Sequence, residues 1–143
     1  MHLTKQIGLC VLGLALGIGA NAAEADIVVV VSPSSPLLKM SKHQLADIYL
    51  GKASYFPDGK KAEPIDQPEG AAARDEFYAK FIGKSPVQVK AYWSKTIFTG
   101  RGEPPREVES GIEVKNRVTE NPYAIGYIEQ NEVDDSVRVL LPQ

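Results

Sequence analysis

One cysteine and two histidines are all the thiol and imidazole in the 143-residue chain. Cys10 and His2 both fall in the first twenty-two residues. There Lys5, an apolar run from Ile7 to Ala20 and the small residues "ANA" at Ala20 to Ala22 form the pattern of a cleaved secretory signal. The run is too short, and its end too rich in small residues, for a transmembrane helix. Leu9, directly before Cys10, argues against a lipid-modified cysteine. The expected organisation is a signal peptide over residues 1–22 and one domain over 23–143, with periplasmic export and no membrane insertion after cleavage. That domain retains His43 and no cysteine. A Cys/His zinc cluster is thereby excluded, and a Ser-His-Asp triad would have to be built on His43 alone. No serine sits in a nucleophile-elbow pattern, and Asp47, Asp58, Asp66 and Asp75 lack EF-hand spacing. The expectation is a protein that is not an enzyme and needs no cofactor or metal. Without disulfides, its core must hold the fold, and a chain of this size can build one.

An excess of positive charge is also missing. Sixteen basic residues face eighteen acidic ones, a net charge of −2, and loss of Lys5 with the signal makes it −3. Such a balance gives no electrostatic footprint for nucleic acid and no polybasic anchor for a membrane. Internal repeats and low-complexity tracts are absent.

What is present alternates between strand and helix patterns. "DIVVVVS" (Asp26 to Ser32) is a continuous β-branched run suited to a strand buried on both faces. Ser41 with Gln44 forms a capping box before a helix carrying Leu45, Ile48 and Tyr49, and Gly51 ends it. An Asp58-Gly59 turn precedes a short strand ending near Asp66. A helix is expected from Ala71 to Ile82 with Phe77, Tyr78, Phe81 and Ile82 inward, closed by Gly83. Ser85, Pro86 and Gln88 open another helix, whose apolar stripe is Val89, Tyr92, Trp93, Thr96 and Ile97. Glycine and proline forbid regular structure in "GRGEPPRE" (Gly100 to Glu107). A helix over Ile112 to Glu120, then strands in "YAIGYIE" and "SVRVLL", complete the chain. The class is α/β with one mixed sheet flanked by helices.

Three of these pieces occur in the same order in one family. "LADIYLGKASYF" (Leu45 to Phe56) resembles the "LadIflGkItnW" segment of periplasmic phosphate-binding proteins of ABC transporters. "GIEVKNRVTENPYAIGYIE" (Gly111 to Glu129) resembles their "GNegVaaaVkatpgAIGYve", and "PIDQPEGAAARDEF" falls where they carry "vvhRsDGSGTrdaF". The resemblance implies a single lobe of a type 2 periplasmic binding protein, in a family whose members close two lobes on a solute. It also implies a role as a phosphate ABC transporter substrate-binding protein or an accessory of that system. The family's ligand motif places Arg, Ser, Gly and Thr where this chain has Gln67, Ala71, Ala72 and Ala73. Glu69-Gly70 and Arg74 keep the family pattern.

The candidate anion site is therefore the helix start Gly70, Ala71, Ala72, Ala73 and Arg74, aided by Ser34 after the first strand and by Arg101. Its ligand would be phosphate or another small oxyanion. Three missing charged-group contacts at roughly 1.5–3 kcal/mol each remove about 4–9 kcal/mol, on the order of a thousandfold to a millionfold in affinity. A bare helix N-terminus returns only about 0.3–1 kcal/mol, so tight capture of phosphate is not expected. The competing reading makes Glu69 the partner of the helix dipole, Ala71 to Ala73 plain helix formers and Arg74 a solvated charge. Function then lies in an interaction or sensory accessory module that docks a transporter, sensor, porin or second copy beside the missing lobe. Tyr92 and Trp93 read as core, His43 as surface, and Asp134-Asp135 as a turn before the last strand.

Overall fold

A computed structural model describes residues 26–143, so the expected signal peptide lies outside the described residues. The five valine and isoleucine residues of β1 (Ile27–Val31) are all buried. Side chains alternate across a strand, so a strand apolar at every position needs cover on both faces. Both faces are covered. Four more strands flank it: β2 (Glu63–Asp66), β3 (Arg106–Glu107), β4 (Ala124–Glu129) and β5 (Arg138–Leu141). Their order across the sheet is β3-β2-β4-β1-β5. β1 runs antiparallel to β4, with Val29 opposite Tyr127, and antiparallel to β5. β2 runs parallel to β4 and β3. The sheet is mixed, as the sequence pattern implies.

One face carries α1 (Lys42–Tyr49), α2 (Ala72–Phe77), which continues into a π-helical turn at Tyr78–Ile82, and α3 (Pro86–Phe98). Val29 and Val31 pack there against Leu45, Tyr49, Phe77, Tyr78, Phe81 and Trp93. The opposite face carries α4 (Gly111–Glu120), whose Val114 and Val118 meet Val28, Val30 and Ile65. Gly126 of β4 lies so close to α4 that a Cβ there would strike the Val114 side chain.

The local signals place the helix starts. Ser41 and Ser85 cap α1 and α3, each in a reciprocal box with the glutamine three residues on. Gly83 adopts φ +74° after the π-helical turn, a conformation glycine takes without a Cβ penalty. Three details depart from expectation. The helix expected over Ala71 to Ile82 holds α-geometry only to Phe77. Ile97, expected in the core, is 56% exposed. Arg106 and Glu107 form β3 inside the stretch expected to be irregular. The prolines end at Pro105, and the chain beyond pairs with β2, where Val108 N–H donates to Asp66 C=O at 2.9 Å.

Candidate functional site

Gly70 turns the chain from β2 into α2 at φ +90°, in the left-handed region. Ala71 is the N-cap residue, with no side-chain hydrogen bond to the helix. The amides of Ala72, Ala73 and Arg74 thus open α2 without a side-chain cap, since alanine has no acceptor to offer.

Arg74 points back into the protein. Its Nη1 donates to Gln67 C=O at 2.9 Å and to Glu107 Oε1 at 2.8 Å, and lies 3.9 Å from Asp66 Oδ2. Its guanidinium also sits 5.5 Å from the centre of the Tyr78 ring. The side chain is 14% exposed. Arg74 is thus neither a solvated charge nor a free ligand for a solute.

Asp66, 2% exposed, is the centre of this arrangement. Its carboxylate accepts hydrogen bonds from the Tyr127 hydroxyl, from the Tyr78 hydroxyl at 2.6 Å and from the Gln67 amide at 2.9 Å. Gln67 is itself consumed, its Nε2 donating to Tyr127 C=O at 3.0 Å. Burial pushes the Asp66 carboxyl above its ordinary range, against the Tyr127 and Tyr78 hydroxyls, the Arg74 charge and the Gln67 amide, which pull it down. Burial, reinforced by the Asp66 charge, drives the Tyr78 and Tyr127 hydroxyls far upward and keeps both neutral. Burial alone would lower the Arg74 pKa; Asp66 and Glu107 outweigh it and hold it above its ordinary value. Tyr127 stacks flat on Phe77, centroids 4.0 Å apart, which fixes the hydroxyl over Asp66. The sequence reading missed this network. Its one signal was an acid at the end of a strand whose preceding residue, Ile65, is fully apolar and buried.

The other expected ligands are elsewhere. Because β1 and β2 run in opposite directions, their carboxyl ends lie at opposite ends of the sheet. Ser34, bonded through Oγ to Ser32 Oγ at 2.9 Å, follows β1 at the end remote from Gly70. Arg101 lines a different groove, with Lys52, Lys95, Thr96 and Thr99. The groove beside α2 is about 190 Å³ and is lined by Glu69, Arg74, Asp75, Glu107 and Trp93 among others, without Ser34 or Arg101. The expected joint site of Gly70, Arg74, Ser34 and Arg101 therefore does not assemble within the chain. Trp93 is buried as expected, and its indole N–H has no hydrogen-bond partner among the described residues. His43 is exposed and lies 3.4 Å from Asp47. Among the described residues, no group of three or more His, Cys, Asp or Glu side chains could hold a metal. None of the described helices is long and apolar enough to cross a membrane.

No family model and no curated protein matches the sequence. Solved structures do. An ABC-type phosphate transport receptor from Vibrio cholerae superposes with a TM-score of 0.63 at 20% identity, over 81% of this chain and 45% of that one. A Clostridium perfringens protein solved with bound phosphate gives 0.63 at 21% identity, over 81% of this chain and 44% of its own. PstS from Borrelia burgdorferi gives 0.61 at 16%, over 81% and 46%. The chain thus spans less than half the length of these similar structures. At such identities the likeness concerns architecture alone: the chain has the fold of a single lobe of a periplasmic binding protein.

Proposed function

We propose that the chain is an exported, non-enzymatic module that uses the binding-protein lobe as a scaffold and acts by contact with another component of the cell envelope. Transporter, sensor and porin proteins are the partner classes that the resemblance to phosphate-transport receptors brings forward. The observation that carries this reading is the state of Arg74. Arg74, on the first turn of the helix, already has the carbonyl of Gln67 and two carboxylates, Asp66 and Glu107, around it. A free oxyanion would have to displace Glu107 and would meet alanine methyls where hydroxyls would be needed. Isothermal titration of residues 23–143 with phosphate and with sulfate tests the reading. Saturable heat below about 1 mM would overturn it.

One observation favours a second reading, residual anion binding. The first-turn amides of α2 have no side-chain cap. They offer about 0.3–1 kcal/mol to an exposed anion, so the expected affinity is weaker than millimolar. An Arg74→Ala variant separates the two. Weak heat that persists in the variant places the anion on the amides, and heat lost with Arg74 restores that residue as a ligand.

A further inference from the structure

The segment from Lys84 to Arg101 contains four basic residues, Lys84, Lys90, Lys95 and Arg101, and no acidic one. It is the helix α3 with its flanks, inside a chain whose net charge is negative. Val89 and Trp93 turn α3 to the core. The opposite ridge, at i, i+4 and i+11 spacing, is Val87, Ala91 and Phe98. Val87 is 77% exposed and Phe98 is 93% exposed. An aromatic residue held almost wholly in water at a helix end calls for a partner.

The cations sit next to that ridge. Lys52, Lys95 and Arg101 line one open groove at the end of α3, together with Tyr92, Thr96 and Thr99. Among the described residues, no carboxylate lies within ion-pairing distance of Lys52, Lys84, Lys95 or Arg101. Lys90, on the other flank, is engaged by Glu69 at 3.3 Å. The groove lacks the fixed donors of a small-oxyanion site. The Thr96 hydroxyl donates to Tyr92 C=O at 2.8 Å, and the Thr99 hydroxyl to Lys95 and Thr96 C=O, both at 3.1 Å. The C-terminus of α3 also carries the negative end of the helix dipole, which disfavours a single bound anion. Cations without a carboxylate partner, beside exposed apolar side chains, suit an extended array of negative charge with an apolar layer beneath it. That is the chemistry of an anionic phospholipid surface.

We propose that the outer face of α3, with Lys52, Lys95, Arg101, Val87 and Phe98, docks the protein on anionic lipid. Lys95 and Arg101 meet lipid phosphates, while Phe98 enters the headgroup boundary. Acidic residues elsewhere in the chain orient this face toward the bilayer. A second copy is disfavoured as occupant, because antiparallel apposition of two α3 helices sets lysine against lysine. An acidic protein groove is the competing occupant, and Ser94 in mid-ridge gives it less apolar surface than the helix end gives lipid.

Flotation of residues 23–143, which contain both hydrophobic clusters entire, with vesicles of phosphatidylglycerol and phosphatidylethanolamine tests the proposal. Parallel arms use pure phosphatidylcholine vesicles and soluble tripolyphosphate. Binding to the anionic vesicles alone is expected, and 0.5 M salt should weaken it at least tenfold. Each cation near an anionic leaflet multiplies affinity about fivefold, so Lys52→Gln, Lys95→Gln and Arg101→Gln together should cost on the order of a hundredfold. Phe98→Ser should cost roughly fivefold at low and high salt alike. A circular-dichroism melt of each variant separates lost docking from lost folding. The proposal is overturned by equal binding to phosphatidylcholine, by indifference to the charge-neutral variant, or by tripolyphosphate binding without vesicle binding. Concentration-dependent sedimentation abolished by Phe98→Ser would also overturn it, by making a second copy the occupant. None of these outcomes bears on the phosphate titration, which alone decides whether the lobe captures free anion.

Discussion

Arg74 and Arg101 carry the same guanidinium and meet opposite fates. Around Arg74 the chain supplies a carbonyl and two carboxylates, so the charge is neutralised before any ligand arrives. No carboxylate of the described residues comes within ion-pairing distance of Arg101, although Glu63 and Glu103 line the groove on its other side, and Lys52 and Lys95 add charge of the same sign. A cation marks a binding surface only where the fold leaves its partner positions open, and sequence position alone does not reveal which case holds.

The largest expected effect comes from breaking the Arg74 region. Asp66→Ala leaves the Tyr78 and Tyr127 hydroxyls without their shared acceptor, removes one of the two carboxylates beside Arg74, and should cost about 3–5 kcal/mol of stability in a urea titration. The same deletion should leave vesicle flotation by the folded fraction unchanged, because Val87 and Phe98 lie on the face of α3 opposite Val89 and Trp93, which turn toward the core.

Restoring grip at the helix start should come next. Ala71→Ser and Ala73→Thr return two hydroxyls, and Glu107→Gln weakens the competitor for Arg74. Each charged-group contact regained contributes roughly 1.5–3 kcal/mol, so the triple variant should bind phosphate at least tenfold more tightly than the parent by calorimetry. An unchanged isotherm would mean that Asp66 and Gln67 alone hold Arg74 out of reach.

The buried carboxyl also leaves a signature in pH. Its folded pKa is raised, so the folded state binds the proton more tightly than the unfolded state does. Its contribution is greatest below the ordinary carboxylate range and declines as pH climbs through that range to the folded value. Stability of the parent relative to Asp66→Asn should therefore fall from about pH 4 upward and then level off. A flat difference between the two urea midpoints would show that Asp66 titrates alike in both states.

The smallest stability effects belong to single surface groups. Ala71→Ser alone supplies the missing N-cap acceptor and should add about 1 kcal/mol. Lys95→Gln with Arg101→Gln should move stability by less than about 0.5 kcal/mol, since neither side chain has an ion-pair partner to lose. A larger loss would reveal a structural role for the groove.

Much of the fold was legible because its signals are local. Ser41 with Gln44 and Ser85 with Gln88 announce their helices within four residues, and the uninterrupted valines of β1 announce a strand covered twice. The site was less legible because strand direction is not a local property. Nothing within "VVVVSPSS" states that β1 opposes β2, yet that fact removes Ser34 from the Gly70 turn. Asp66 illustrates the same limit, since its partners lie 12 and 61 positions along the chain. The α3 patch escaped for another reason. A near-neutral sum of charge conceals a run of eighteen residues without an acid.

The brevity of β3 bears on how the molecule behaves in a crowded compartment. Open sheet edges present unpaired amides and carbonyls that can recruit a neighbouring chain into a growing β-ladder. Here one edge is two residues long, hemmed by Pro104 and Pro105 on its amino side and carrying a charged side chain at each position. The opposite edge, β5, runs directly into Pro142, which has no amide to offer. This lobe thus guards both borders of its sheet against further strands, and it does so with prolines and charge instead of disulfides.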